Sequence, residues 1–367
     1  MKIGIITMHR VQNIGSVLQA YALQHKITQL GYEAELIDYI FPPQNKTFSF
    51  SSLLGETWNA IQGFPKQKTI KKLDTFRRKY LRCSPISYTK EGINKNPPEY
   101  DVYCTGSDQV WNPKHIDDDT TFMFDFAPAD KPRISFASSF ASDVIPQNLK
   151  QKFSNHLSKY QTITVREQSG VGIVQELTGK EASVVCDPTL LLDEQEWRSV
   201  SSNSNKLPNN GYVLVYLLRY MYDPRPGFYQ IVENVRQLLK LPVYYFGGGF
   251  SEMRQPHSTV LTGLGPEEFV DLFKNAAFVI TDSFHGSAFA TIFNVPMLGI
   301  VKDVNAGDGR IATLRKKVGG EASIIQYNHP FTLDLNQIDH YKCNSKLVEQ
   351  FRSNSLLTLK SMIEQFG

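Results

Sequence analysis

Residues 2–8 form a short apolar run, the mark of a buried parallel strand. A polar loop, HRVQNIGS, follows it. Val17, Ala20, Leu23, Ile27 and Leu30 then recur on one helical face, and Gly31 stands where a C-cap glycine is expected. The segment EAELIDYI resumes strand character. A β-loop-α-β unit at the start of a chain predicts a doubly wound parallel sheet.

Residues 42–98 break this alternation with Pro42-Pro43, scattered aromatics and a basic stretch from Lys66 to Arg82. They read as an excursion of helices and loops outside the sheet. Strand-like runs return at YDVYCTG, RISFASSF, TITVRE and ASVVCD, with helices over 146–160 and 167–178. The stretch 199–211 is polar, rich in Ser and Asn, and lacks a periodic apolar face, which makes it the best domain boundary. Beyond it YVLVYLL, PVYYFGGG, AFVITD and PMLGIV read as strands, and PEEFVDLFKNA and SAFATIFN as helices. The tail places Leu347, Phe351, Leu356, Leu359 and Ile363 near helical spacing. The pattern predicts an α/β chain of two Rossmann-like domains with a cleft between them. They are residues 1–198, carrying the 42–98 excursion, and residues 211–343, followed by a C-terminal helix over 344–367.

Composition narrows this only slightly. The chain has 367 residues, enough for two domains that each bury a core. At 41% hydrophobic and 20% charged it is too apolar for disorder. A net charge of +3 gives no reason to expect nucleic acid as a partner. The four cysteines (Cys83, Cys104, Cys186, Cys343) lie far apart with no metal-site spacing, which fits a reducing compartment. The first residues show no signal-peptide pattern, and no window reaches the ~18 uninterrupted apolar residues of a membrane span. The expectation is a cytoplasmic protein with at most a peripheral contact to the inner face of a membrane.

The segment from Phe278 to Ile300 carries the strongest chemical signal. A buried strand ends at Thr281-Asp282, a turn Ser283-Phe284-His285-Gly286 follows, and a helix opens near Ser287. Ligands of open α/β sheets bind at the carboxyl ends of strands, where helix N-termini favour anions. A histidine there can bind phosphate or act as an acid, and Gly286 would let the backbone approach a ligand. The plainer alternative is a capped helix with His285 packed beneath it. The loop His9 to Ser16 occupies the same kind of corner: Asn13 and Ser16 can cap the helix, Gly15 permits a tight turn, and Arg10 could meet an anion. It is not GxGxxG, so no dinucleotide is implied.

At Gly106 to Pro113, Trp111 offers a stacking face for a sugar ring and Asp108 and Gln109 offer hydroxyl partners, although Trp is also a common core filler. Arg166, Arg219 and Arg310 flank strand ends, where arginine forks suit phosphate and carboxylate, with ordinary ion pairing as the alternative. Arg219 interrupts an apolar run and so needs a partner. Asp187-Pro188-Thr189 reads as a capped turn. Asp117, Asp118 and Asp119 beside His115 read as a solvated acidic loop, so no metal is expected. The eight Lys and Arg of residues 66–82 read as a solvated helix face, or as a docking face for an anionic lipid.

Taken in series, these segments resemble the polysaccharide pyruvyl transferase family. The resemblance is carried by Asn13 and Gly15 with LQAYAL, by GSDQVWNP, SFASSFA, VRE and DPTLLL, and by TDSFHGSAFATIFNVP. It implies a GT-B-like arrangement of the two domains with the active site in the interdomain cleft. It also implies transfer of the pyruvyl group of phosphoenolpyruvate to a sugar, usually as a ketal, in cell-surface polysaccharide (capsule or exopolysaccharide) biosynthesis. No metal or redox cofactor is implied. On this resemblance His285 is the catalytic or donor-binding histidine, and Arg310, Arg219, Ser283, Gly286 and Ser287 hold the donor on the C-terminal domain. Asn13, Gly15, Ser16, Asp108 and Trp111 face a saccharide acceptor, lipid-linked or not, on the N-terminal domain. Two rivals share the fold: a nucleotide-sugar glycosyltransferase, and a catalytically silent glycan-binding protein of a capsule pathway.

Overall fold

A computed structural model describes residues 1–41, 53–116, 119–202, 207, 211–218, 227–247, 257–302, 309–327, 333 and 335–367. The chain divides into two compact units, Met1–Leu191 with Arg352–Gly367, and Leu192–Phe351. The division falls after Leu191, upstream of the polar stretch at 199–211.

The first unit is built on six parallel strands: β1 (Lys2–Ile6), β2 (Glu33–Leu36), β3 (Val102–Thr105), β4 (Arg133–Ser138), β5 (Thr162–Val165) and β6 (Ala182–Val184). Their order is β2-β1-β3-β4-β5-β6, with Ile3 opposite both Ala34 and Val102. Helices cover both faces of such a sheet, so its central strands are apolar without alternation. Ile3, Ile5, Val102, Cys104, Ile134 and Phe136 are all excluded from water. Helix α1 (Ile14–Gln29) follows β1; the Asn13 side chain caps it, and it ends before Gly31, whose φ of 93° suits glycine. The excursion carries the long helix α2 (Leu53–Tyr80).

The second unit repeats the plan with β7 (Val213–Leu217), β8 (Val243–Gly247), β9 (Ser258–Val260), β10 (Phe278–Thr281), β11 (Met297–Val301) and β12 (Ile324–Gln326). All pairings are parallel, in the order β12-β11-β10-β7-β8-β9. Counted from β7, that is the 3-2-1-4-5-6 order of a Rossmann sheet. The final helix, Ser345–Glu364, is tied to the first unit at its C-terminal half: Ser355 Oγ accepts from Cys186 N at 2.9 Å, and Arg352 Nε donates to Leu190 O at 2.7 Å.

Each sheet therefore has one place where the strand order reverses. In the first unit it lies between β1 and β3, and in the second between β7 and β10. The chain leaves these adjacent strands toward opposite sides, opening a crevice at their carboxyl ends.

Candidate functional site

The reversal in the second unit brings together the ends of β7 and β10. Thr281 Oγ1 donates to Tyr216 O at 2.6 Å and accepts from Ser283 N at 3.0 Å. Asp282 Oδ1 accepts from Leu218 N at 2.6 Å. The polar residues that end β10 thus fasten it to β7 and fix the turn that follows. Ser283 caps the helix Phe284–Ile292, accepting from Gly286 N at 3.2 Å.

His285 lies in the first turn of this helix with 6% of its surface exposed, its ring at 84° to that of Phe284. Burial restricts its rotamers, and the positive end of the helix dipole favours an anion beside it. Gly286 is required by packing: a Cβ would stand 2.3 Å from Thr281 Oγ1 and 3.0 Å from the Tyr216 ring. Its bareness serves contact with protein rather than the approach of a ligand, a correction to the sequence reading. Ser287 is fully buried, and its hydroxyl donates to Ser283 O at 3.2 Å. Arg310 is the first residue of the helix Arg310–Lys317 and is half-buried. Arg219 lies outside the described residues.

The reversal in the first unit gathers a second polar cluster. Thr7 Oγ1 donates to Ser107 O at 2.8 Å, joining the ends of β1 and β3. Asp108 then adopts a φ of 79°, a left-handed conformation uncommon for a residue with a side chain. Its carboxylate accepts from the Ser16 hydroxyl and from Gln109 N. Arg166 Nη2 approaches the same carboxylate at 3.8 Å, while its Nη1 donates to Asp187 Oδ2 at 2.9 Å. Asp187 also accepts from Ser107 Oγ at 2.7 Å, from Thr189 N at 3.0 Å and from Thr189 Oγ1 at 2.8 Å. The turn-capping role expected of Asp187 is present, and an ion pair is added to it.

Other expectations for this unit change. Asn13 does cap α1, but Ser16 spends its hydroxyl on Asp108 instead. Gly15 lies inside the helix and makes no tight turn. Trp111 is 0% exposed, tilted against Phe140, edge-on to Tyr160, with its indole N–H toward Phe122 O at 3.4 Å. It is a core filler and offers no face to a sugar. Arg10 forks onto the two Asp38 oxygens at 2.6 and 2.5 Å. Arg166 likewise turns inward to carboxylates of its own unit.

His9, Asp38 and Cys83 place three potential ligand atoms within 4.8 Å of one another. The donors around them describe an ion-paired anchor. Burial raises the Asp38 carboxyl, but hydrogen bonds from Arg10, His9 and Ser87 outweigh it and hold the group well below the usual carboxylate range. Burial, and then the Asp38 charge, push the Cys83 thiol up to about 12. Arg77 of α2 donates to the carbonyls of His9 and Val11 at 2.7 and 2.9 Å, so one member of the basic stretch braces this loop. Asp119 accepts from Tyr39 Oη at 2.5 Å and from Thr121 N at 3.0 Å. Asp117 and Asp118 lie outside the described residues.

The class of the fold is defined by two doubly wound parallel sheets in one chain, and solved structures agree. The UDP-GlcNAc 2-epimerase of Methanocaldococcus jannaschii, in complex with UDP-GlcNAc and UDP, is similar over 97% of this chain and 93% of its own, with a TM-score of 0.51 at 13% identity. The UDP-GlcNAc 2-epimerase of Neisseria meningitidis bound to UDP-GlcNAc is similar over 100% of both chains, with a TM-score of 0.52 at 9% identity. The glycotransferase of kitacinnamycin is similar over 100% of this chain and 98% of its own, with a TM-score of 0.51 at 12% identity. At such identities the likeness shows the fold alone: a two-domain α/β fold of the GT-B kind. Comparison with curated proteins gives no match.

The family model for polysaccharide pyruvyl transferase matches residues 13–303, most of the chain, with Ser16, Asp108 and His285 inside the match and Thr7 and Arg310 outside it. The chain belongs to that family, and it is an enzyme of the polysaccharide pyruvyltransferase class.

Proposed function

We propose that this enzyme moves the pyruvyl group of phosphoenolpyruvate onto a saccharide, closing a ketal across two hydroxyls, during synthesis of a cell-surface polysaccharide. One observation carries the reading within the matched region. His285 stands in the first turn of the helix that opens at the strand-order reversal of the second sheet. That is where an open α/β sheet takes an anionic ligand.

Phosphoenolpyruvate carries a phosphate and a carboxylate, so it suits a helix N-terminus with an imidazole and an arginine. His285 is assigned to protonation of the donor or to its phosphate, and Arg310 to its charge. A proton added at C3 makes C2 electrophilic, and one sugar hydroxyl oxygen adds to it. The C2–O bond to phosphate breaks, and the second hydroxyl closes the ketal. Of the two hydroxyl protons, one is balanced by the proton taken up into the methyl group and the other leaves on phosphate. The sequence of steps needs no redox change. Ser16 and Asp108, at the reversal of the first sheet, are assigned to the saccharide, which Asp108 meets with a carboxylate held by Ser16. The reaction is placed in the cytoplasm, on a free or lipid-linked acceptor. Among the described residues no helix is long and apolar enough to cross a membrane.

The test is release of phosphate from phosphoenolpyruvate that depends on added saccharide, with the product checked by mass for the pyruvyl group. His285→Ala is expected to lower the rate by about 10²–10⁴-fold with the fold intact. A variant with near-normal turnover would remove His285 from the mechanism.

A further inference from the structure

The first unit holds a pocket of about 680 Å³ away from its polar cluster, within the usual range of small-molecule sites. It is framed by the second half of α1, the start of β2 and the end of α2. Ser16, the partner of Asp108, and Thr28 stand twelve positions apart on the helix, about 18 Å of rise, so the pocket extends from Tyr21 toward the end of the helix away from Asp108.

Its wall is aromatic and already in place. Tyr21, His25, Tyr32 and Tyr80 line it, and each is only partly buried. Tyr21 stacks on His25 at 5.4 Å and meets Tyr80 edge-on at 5.6 Å, and Phe76 backs Tyr80 at 4.5 Å. Its rim is polar. Gln24 accepts from Arg82 N at 2.9 Å and donates to Arg82 O at 2.7 Å, clamping that residue, while the Arg82 guanidinium pairs with Glu33 in the open.

We infer that this pocket is a second saccharide subsite, which holds hexose units of the acceptor chain remote from those that react. Partly exposed rings offer flat surface to the C–H side of a pyranose, as they do to other flat apolar surfaces. A forked guanidinium and a carboxylate on the rim match neighbouring hydroxyls, which need both donors and acceptors. Rings of Tyr21, His25 and Tyr80 that already pack on one another keep the ordering cost of binding low. The inference rests on the acceptor being a saccharide, and it deepens that reading by giving the enzyme a preference for long chains.

The test is saturation-transfer NMR on the full chain with glucose, cellohexaose, mannohexaose and UMP as probes. At least one hexaose is expected to bind with a dissociation constant at least tenfold below that of glucose. Arg82→Ala and Tyr32→Ala should weaken it by tenfold or more, and His285→Ala should leave it unchanged. Arg82 is 61% exposed, so its variant keeps the fold even if Tyr32→Ala does not. Hexaose binding that survives Arg82→Ala, a preference for UMP, or no binding by any probe would each overturn the subsite. Because the readout is binding, it is independent of phosphoenolpyruvate turnover: loss of the donor reading leaves hexaose binding in place, and loss of the subsite leaves turnover in place.

Discussion

Arg166 donates from Nη1 to Asp187 Oδ2 at 2.9 Å, and neither side chain reaches water. This pair joins the loops after β5 and β6 beneath Asp108, which Arg166 also approaches. Removing one member leaves the other as a buried, uncompensated charge, which costs about 3–5 kcal/mol. Arg166→Met is therefore expected to lower the unfolding free energy by about that amount, read from urea denaturation. A loss below about 1 kcal/mol would mean that the pair is not buried as described.

Asp108 tests structure against function at one position. Its φ of 79° is one that asparagine tolerates, and an amide keeps one oxygen for Gln109 N while its NH2 turns to the Ser16 oxygen, which can accept as well as donate. Asp108→Asn should stay within about 1 kcal/mol of the parent while raising the acceptor KM about tenfold, the worth of one hydrogen bond of about 1.4 kcal/mol. Equal KM values for both proteins would take Asp108 out of the acceptor site.

Gly286→Ala should damage the second unit directly. The added methyl meets Thr281 Oγ1 at 2.3 Å, and that oxygen is committed to Tyr216 O and Ser283 N. The expected cost is about 1–3 kcal/mol, seen as a lower Tm. Phosphate release should fall with it, because the turn that carries His285 must shift. An unchanged Tm would show that the corner has room to spare.

The Asp38 anchor predicts a pH dependence. Its carboxyl is depressed in the folded protein, so it contributes stability that is present above the unfolded value near 3.9. That contribution is lost as pH falls below this value toward the folded one. Asp38→Asn should destabilise by about 1–3 kcal/mol at pH 7, with the gap to the parent narrowing below pH ~4. Denaturation curves at pH 7 and pH 3 that stay equally far apart would contradict it.

The fold was legible wherever a strand was buried on both faces. KIGII, VYCT, VLVYL, FVIT and MLGIV are apolar runs broken only by a terminal Lys or Thr, and each is a central strand. Of the three-residue edge strands, all only partly buried, β6 stands in the apolar run ASVVCD, whereas β9 and β12 are not among the strands the sequence pattern predicts. The helix Gly227–Leu239 is not among those the sequence pattern predicts, although Phe228, Ile231, Val232 and Val235 bury one face of it. At the sites, the corners could be found because polar residues follow apolar strands, but the partner of each polar group could not. Arg166 and Asp187 are 21 residues apart, and Thr7 and Ser107 are 100 apart. Trp111 misled because an aromatic at a strand end reads alike whether it faces solvent or core; only the packing of Phe140 and Tyr160 decides it.

The most direct test of the central claim is thermal unfolding with phosphoenolpyruvate, UDP, GDP and CMP, for the parent and for His285→Ala. A ligand at one hundred times its dissociation constant stabilises by about 2.7 kcal/mol, enough to raise Tm by several degrees. Phosphoenolpyruvate is expected to raise the Tm of the parent but not of His285→Ala, with the nucleotides without effect on either. A rise with one nucleotide and none with phosphoenolpyruvate would contradict the assignment of the donor.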